Sequence, residues 1–99
     1  MVEDLISEIG INSRGGLFVM PATKAFPYTY REAMEVSWDP ASAVLYGPAP
    51  REWSYANCFR QIRAAALEQG TLLVIGPHTR WRDVPDDLRA EIEKVAEVR

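Results

Sequence analysis

The chain has 99 residues, 47% hydrophobic and 10% aromatic, which excludes intrinsic disorder and predicts a single globular domain over residues 1–99. Eleven Lys and Arg against fourteen Asp and Glu give a net charge of −3, so we expect no nucleic-acid partner. One Cys and one His exclude an internal disulfide and the common zinc sites, and no metal or cofactor is expected.

The N-terminal segment is predicted to form a short helix. Its apolar residues fall on one helical stripe: Val2, Leu5, Ile6 and Ile9. Gly10 stands where a helix ends, and residues 12–16 after it are typical of a turn. The continuous apolar run 17–20, ended by Pro21, predicts a strand that is buried on both faces.

A β-hairpin is predicted next. Residues 33–38 alternate between apolar and polar side chains, as a half-buried strand does. Asp39–Ser42 has the composition of a type I turn, so residues 43–46 are expected to return antiparallel, with Trp38 opposite Ala43.

The second half of the chain predicts a helix, a strand and a last helix. The long helix spans residues 51–69, stops at Gly70 and is apolar on two sides, so it covers the sheet and is itself covered by the N-terminal helix or another subunit. Residues 71–75 form a second continuous apolar strand, residues 78–83 a loop, and the last helix begins near Pro85.

The resulting order, α-β-β-β-α-β-α, predicts an α+β fold with a mixed sheet of about four strands and helices packed on it. The runs 17–20 and 71–75 both look like interior strands. Four strands cannot place both inside the sheet while the hairpin strands stay adjacent. Either the connector near 26–31 supplies a fifth strand, or an interior-type strand lies at the edge and pairs with a second chain. We therefore predict a homodimer.

A ligand site is predicted on one condition, that the strands 17–20 and 71–75 run parallel. The aromatic connector 21–31 then reaches the rim that follows residue 75, where open α/β sheets place their ligand crevice. Cations, hydroxyls and rings at this rim suit a planar anion. The candidate ligand-binding residues are Lys24, Tyr28, Tyr30, His78, Arg80 and Trp81. The alternative is that these aromatics, with Phe26, cap the sheet end as a secondary core.

The outer side of the long helix is the candidate interface, through Trp53, Arg60 and Leu67. No catalytic set is predicted. Cys58 could act as a nucleophile with His78 as its base, but it lies on the main apolar helix face, which favours a buried, inert thiol. The chain has no Gly-x-Ser-x-Gly elbow, dinucleotide fingerprint or P-loop.

Two functions remain open. The leading hypothesis is a non-enzymatic homodimeric binding module with an aromatic-lined site for a ligand or a partner. The surface that it would use is the helix face around Trp53 or the aromatic rim of Phe26, Tyr28, Tyr30 and Trp81. The alternative is a small enzyme or anion-binding sensor centred on His78 and Arg80. An enzyme needs a second acid or base near His78, which only Asp83, Tyr28 or Tyr30 could supply.

The chain resembles the small single-domain proteins carried on mobile integron gene cassettes. The resemblance lies in the general character of the whole sequence, and no diagnostic residue carries it. It implies an accessory, adaptive bacterial function and often a novel fold. Apolar runs too short to span a membrane and an acidic N-terminus, where a signal peptide is basic, predict a soluble cytoplasmic protein with no membrane partner.

Overall fold

The computed structural model describes residues 2–26, 30–31, 36–49 and 54–97. The elements in this part of the chain are β1 (Val2–Ile11), β2 (Leu17–Pro21), β3 (Tyr30–Arg31), β4 (Val36–Asp39), β5 (Val44–Tyr46), α1 (Tyr55–Glu68), β6 (Thr71–Arg82) and α2 (Asp86–Glu97). The strands form one sheet in the order β3-β4-β5-β2-β1-β6, in which β1 and β6 are parallel and the other neighbours antiparallel. The predicted α+β fold with a mixed sheet is confirmed.

The predicted N-terminal helix is wrong, because residues 2–11 form β1, next to the edge strand. The register of β1 with both neighbours shifts between Ile6 and Glu8. This irregularity adds a residue to the strand, so Ile6 and Ile9 both reach the core although they are three positions apart. The core residues of a bulged strand can therefore have the spacing of a helical stripe. Only the pairing of β1 with β2 and β6 distinguishes the strand from a helix.

The predicted loop at residues 78–83 is also wrong, since β6 continues to Arg82. Ile6 pairs with Ile75 and Glu8 pairs with Arg80, so residues 76–79 bulge out opposite a single residue of β1. The Thr79 hydroxyl closes this bulge. It donates to the Ile6 carbonyl at 2.6 Å and accepts from the Gly76 amide at 3.0 Å.

We expect Thr79→Val to lower the free energy of unfolding by about 1–3 kcal/mol, because valine has the same shape but leaves the buried Ile6 carbonyl without its hydroxyl donor. Denaturant unfolding measures the change. Thr79→Ser keeps the hydroxyl and is the matched control, which should lose much less. Equal stability of the valine variant and the natural chain would show that the hydroxyl does not hold the bulge.

The hairpin forms, but its register differs from the prediction by two residues. Trp38 lies opposite Leu45, and Asp39 opposite Val44. The turn therefore spans residues 40–43 and ends at Ala43, whose φ of 56° is left-handed. A shift of two residues leaves every side chain on its predicted face of the sheet.

Both helices pack on the same face of the sheet. Ser54 caps α1 by accepting a hydrogen bond from the Asn57 amide, and the helix ends before Gly70, whose φ is 84°. Because α2 lies beside α1 and also contacts β6, α2 covers the helix where the N-terminal helix was expected to do so. The largest of the fully buried side chains are Phe59, Ile6, Ile9, Leu17, Leu45, Ile62, Leu73, Ile92, Val19 and Val36. Neither helix of the described residues has the length and apolar character needed to cross a membrane.

The strand order bears on the packing conflict at both edges of the sheet, while pairing with a second chain stays a prediction. Residues 30–31 of the connector pair with β4 as β3 and add a strand at one edge. The apolar segment 71–75 lies at the other edge, where its described neighbour is β1 alone. An interior-type strand therefore has a free edge.

Candidate functional site

In the described part of the chain, neither helix covers the second face of the sheet. Successive residues of a strand point to opposite faces, so Leu17 and Val19 enter the core while Phe18 and Met20 point away from the helices. On this side the strands and the turn after β1 form a concave cleft of about 1040 Å³. We call it the open-face cleft. The residues that line it are Glu8, Asn12, Ser13, Arg14, Gly16, Phe18, Met20, Ser37, Asp39, Ser42, Val44, Tyr46, Gly47, Pro48, Ala49 and Arg82.

A single cross-strand row forms the aromatic part of this face. The row runs from β4 to β6 through Ser37, Tyr46, Phe18, Gly10 and Arg82, each in register with the next. Gly10 leaves a gap that the Phe18 ring occupies, since a Cβ atom on Gly10 would lie 2.6 Å from two ring carbons. The ring thus spreads over β1 towards Arg82 and makes a flat apolar floor.

Charged side chains stand at the β6 end of the cleft. Arg80 Nε lies 3.8 Å and Arg82 Nη2 3.6 Å from the same carboxylate oxygen of Glu8. The Glu8 side chain is only 8% exposed, whereas those of Arg80 and Arg82 are 69% and 65% exposed. Both contacts are longer than a hydrogen bond, so the guanidinium donors remain open to a ligand. Two bases against one acid leave this end positive.

The predicted ligand residues do not come together. Arg80 does not line the open-face cleft but approaches its lining residue Glu8, whereas Trp81 points to the opposite face, where its ring lies 5.0 Å from the Arg89 guanidinium of α2. His78 is exposed in the bulge of β6. Lys24 follows β2, and its amide donates to Asp4, which pairs with Leu73. Asp4 and Glu8 are four positions apart along β1, a distance of about 13 Å, so Lys24 is far from Arg80.

The condition on which that cluster was predicted is wrong. β2 runs antiparallel to β1, and β1 runs parallel to β6, so β2 and β6 are antiparallel. The connector after β2 therefore leaves at the end of the sheet where β6 begins. Strand alternation then separates Arg80 from Trp81, because neighbouring residues face opposite sides.

The connector aromatics divide between the core and the row. Phe26 is buried and packs edge-to-face on Trp38 with ring centroids 5.8 Å apart, which agrees with the secondary-core alternative for this residue. The backbone of Tyr30 in β3 pairs with that of Ser37, which is the next register position along the cross-strand row. Tyr28 lies outside the described residues.

The predicted interface residues lie on the helix layer. Arg60 and Leu67 are exposed two turns apart on α1, with the Leu67 side chain 42% exposed, while Trp53 lies outside the described residues. Their role stays a prediction. Cys58, on the opposite side of α1, is buried in the core. Within the described ranges, no group of three or more His, Cys, Asp and Glu side chains could hold a metal ion.

Sequence reasoning missed Phe18, Met20 and Arg82 as site residues. The run 17–20 was interpreted as buried on both faces, and this removed Phe18 and Met20 from consideration. Two features of the sequence indicate this open face. Val44 and Tyr46 make the second side of the hairpin half apolar. The two arginines of β6 are two positions apart, which is the period of one strand face.

Residues 4–79 match the protein family described as Integron Cassette Protein Hfx_Cass5. The chain is also similar to a solved structure of Hfx_Cass5, an integron cassette protein from the mobile metagenome of the North West Arm sewage outfall. The two sequences are 51% identical, with 97% of each chain covered and a TM-score of 0.48. None of the curated proteins matches the chain.

Proposed function

The chain belongs to the Hfx_Cass5 family of integron cassette proteins, and we propose its function from the geometry of the open-face cleft. The protein is a non-enzymatic homodimeric binding module that holds a ligand or partner in its open-face cleft. The observation that carries this proposal is the position of α1 and α2, which cover one face of the sheet and leave the aromatic row on the other.

The uncovered face has the composition of a binding surface. Tyr46 is 37% exposed and Phe18 and Met20 are half-buried, although monomeric proteins normally cover apolar side chains that adjoin one another. A cleft of about 1040 Å³ is large enough for a small molecule, since such sites usually enclose about 300–1,000 Å³. Polar side chains at its rim supply the few directional contacts that fix a ligand's orientation.

A second copy of the chain is the proposed partner of the free β6 edge. Residues 71–75 contain no charge and no proline, the devices that normally protect an edge strand. A groove of about 310 Å³ follows these residues and is bordered by Arg63, Glu93 and Ala96 of the two helices. Antiparallel pairing of two β6 strands about a two-fold axis satisfies both edges at once and leaves both open-face clefts free.

We expect Tyr46→Ala to weaken binding of the neutral fluorescent probe N-phenyl-1-naphthylamine by about tenfold. The substitution removes an exposed ring from the apolar floor, and burial of such a ring contributes about 1.5 kcal/mol or more. Fluorescence titration measures the dissociation constant. The hydroxyl of Tyr46 makes no hydrogen bond in the described residues, so the fold is expected to persist.

Leu67→Ala is the matched control, because Leu67 is a comparably exposed apolar side chain on the helix layer. It should leave the affinity for the probe unchanged. A natural chain that does not bind the probe, or equal losses in the two variants, would contradict a ligand site on the open face.

The alternative function, a small enzyme or sensor centred on His78 and Arg80, has one supporting observation. Arg80 stands beside Arg82 at the positive end of the cleft, which suits an anion. His78 is exposed in the bulge and makes no hydrogen bond with another described residue. The observation therefore favours anion binding, which is compatible with the proposed binding module.

A further inference from the structure

We infer that the open-face cleft takes an amphipathic organic anion: a flat apolar body over the aromatic row, with a carboxylate, sulfonate or phosphate at Arg82. This inference rests on the proposed binding function and names the chemical class of the ligand.

The apolar half of the ligand is specified by the floor of the cleft. The Phe18 ring lies over Gly10, with Tyr46 beside it in the same row, so the apolar surface is broad enough for a planar ring system. Met20 and Val44 line the cleft alongside this row. Methionine adapts its shape to irregular apolar groups, which favours a class of related ligands over one shape.

The anionic half is specified by the distribution of charge across the sheet. Arg82 and Arg14 line the cleft, and Arg80 shares the Glu8 carboxylate with Arg82. The acid at the other end is Asp39 on β4, four strand spacings or about 19 Å from β6. The cleft therefore has a positive and a negative end, and a ligand with one anionic group binds with that group towards β6.

Glu8 holds the two guanidiniums at the rim without occupying their donors. Its carboxylate attracts both from more than 3.5 Å, beyond hydrogen-bond distance, and the surrounding strands leave it only 8% exposed. A ligand carboxylate or sulfonate can approach Arg82 from the solvent side and accept its fork of N–H donors. Arg82 can therefore donate to the ligand the hydrogen bonds that it does not donate to Glu8.

A free molecule fits this site better than a lipid bilayer does. The aromatic floor lies inside a concave cleft bordered by the turn at residues 12–16 and by Pro48 and Ala49, so a flat membrane surface cannot reach it. A membrane lipid also combines an apolar body with an anionic group, so the test must distinguish a free ligand from a lipid bilayer.

The test uses two fluorescent probes with the same ring system. 1-Anilinonaphthalene-8-sulfonate carries a sulfonate that the neutral N-phenyl-1-naphthylamine lacks. We expect the anionic probe to bind the natural chain about tenfold more tightly, because charge-assisted hydrogen bonds to Arg82 add to the apolar contact. Arg82→Gln should remove about tenfold of the anionic probe's affinity and leave the neutral probe unchanged. Arg80→Gln should cost about threefold, since Arg80 adds only to the local potential.

Arg60→Gln on α1 is the matched control and should leave both affinities unchanged; circular dichroism checks that each variant is folded. Equal affinities for the two probes, or an anionic affinity that survives Arg82→Gln, would overturn the anion specificity and leave the proposed binding function intact. Failure of both probes to bind overturns the proposed function as well. If the protein binds neither probe but sediments together with phosphatidylglycerol vesicles, the surface binds a membrane, and the inference of a free ligand is overturned.

Discussion

Gly16→Ala is expected to lower the melting temperature by more than about 10 °C, because overpacking of this kind costs about 3 kcal/mol or more in a domain of this size. A Cβ atom on Gly16 would lie 2.2 Å from the Gly47 carbonyl oxygen, well inside van der Waals contact. Both partners are backbone, so neither can rotate away. The Gly16 amide also donates to Asn12 Oδ1 at 3.0 Å, which fixes the turn between β1 and β2.

The loss at Gly16 would reach beyond the turn. Gly47 pairs with β2 through a hydrogen bond from its amide to the Leu17 carbonyl, and the Tyr55 hydroxyl of α1 donates to the Gly15 carbonyl at 2.7 Å. The turn, the end of β5 and the start of α1 therefore meet at this point. Displacing Gly47 by even 1 Å disturbs all three.

Gly70→Ala is the control for Gly16→Ala. Nothing lies within 4 Å of a Cβ atom at Gly70, so its only cost is the left-handed φ of 84°, about 1–2 kcal/mol. Thermal melting by circular dichroism compares the two variants. If Gly70→Ala destabilised the fold more than Gly16→Ala, steric contact at Gly47 could not be the dominant effect.

Val74→Lys is expected to convert the proposed dimer into a monomer, raising the dissociation constant on the order of 100-fold, because each charge placed on the paired edge acts twice about a two-fold axis. Val74 lies within the uncharged edge segment of β6 and is only half-buried, so the monomer accommodates a lysine there. Sedimentation velocity at micromolar concentration measures the association state.

Leu67→Lys separates this interface from the other candidate. It places the same charge on the exposed side of α1, near Arg60, and is expected to leave the dimer intact. A dimer that survives Val74→Lys but dissociates with Leu67→Lys would move the interface to the helix layer. A natural chain that sediments as a monomer would refute the homodimer prediction altogether.

Periodicity alone predicted the elements whose residues alternate or repeat without interruption. The apolar stripe and the stop at Gly70 located α1, the acidic first turn located α2, and the runs at residues 17–20 and 71–75 located β2 and the start of β6. These predictions hold because burial of one helical stripe or strand determines which side chains must be apolar, whatever the neighbours are.

The candidate site was much less predictable. Arg80 is a candidate because it follows an apolar strand, and its expected companions depend on a parallel arrangement of β2 and β6, which the strand pairing contradicts. Strand direction depends on which strands pair across the sheet, and no local pattern in either strand encodes it. Phe18 and Met20 were missed because a run of four apolar residues does not show whether a helix covers both faces of the strand or only one.

By itself the sequence determined an α+β domain, its two continuous apolar strand segments and the helices α1 and α2, because each of these follows from local composition and spacing. The tertiary structure alone decided that residues 2–11 pair as a bulged strand next to the edge, that 71–75 remain at an edge, and that Phe18, Tyr46 and Arg82 share an open face. Such outcomes depend on hydrogen bonds and contacts between residues far apart in the chain, which local spacing does not record.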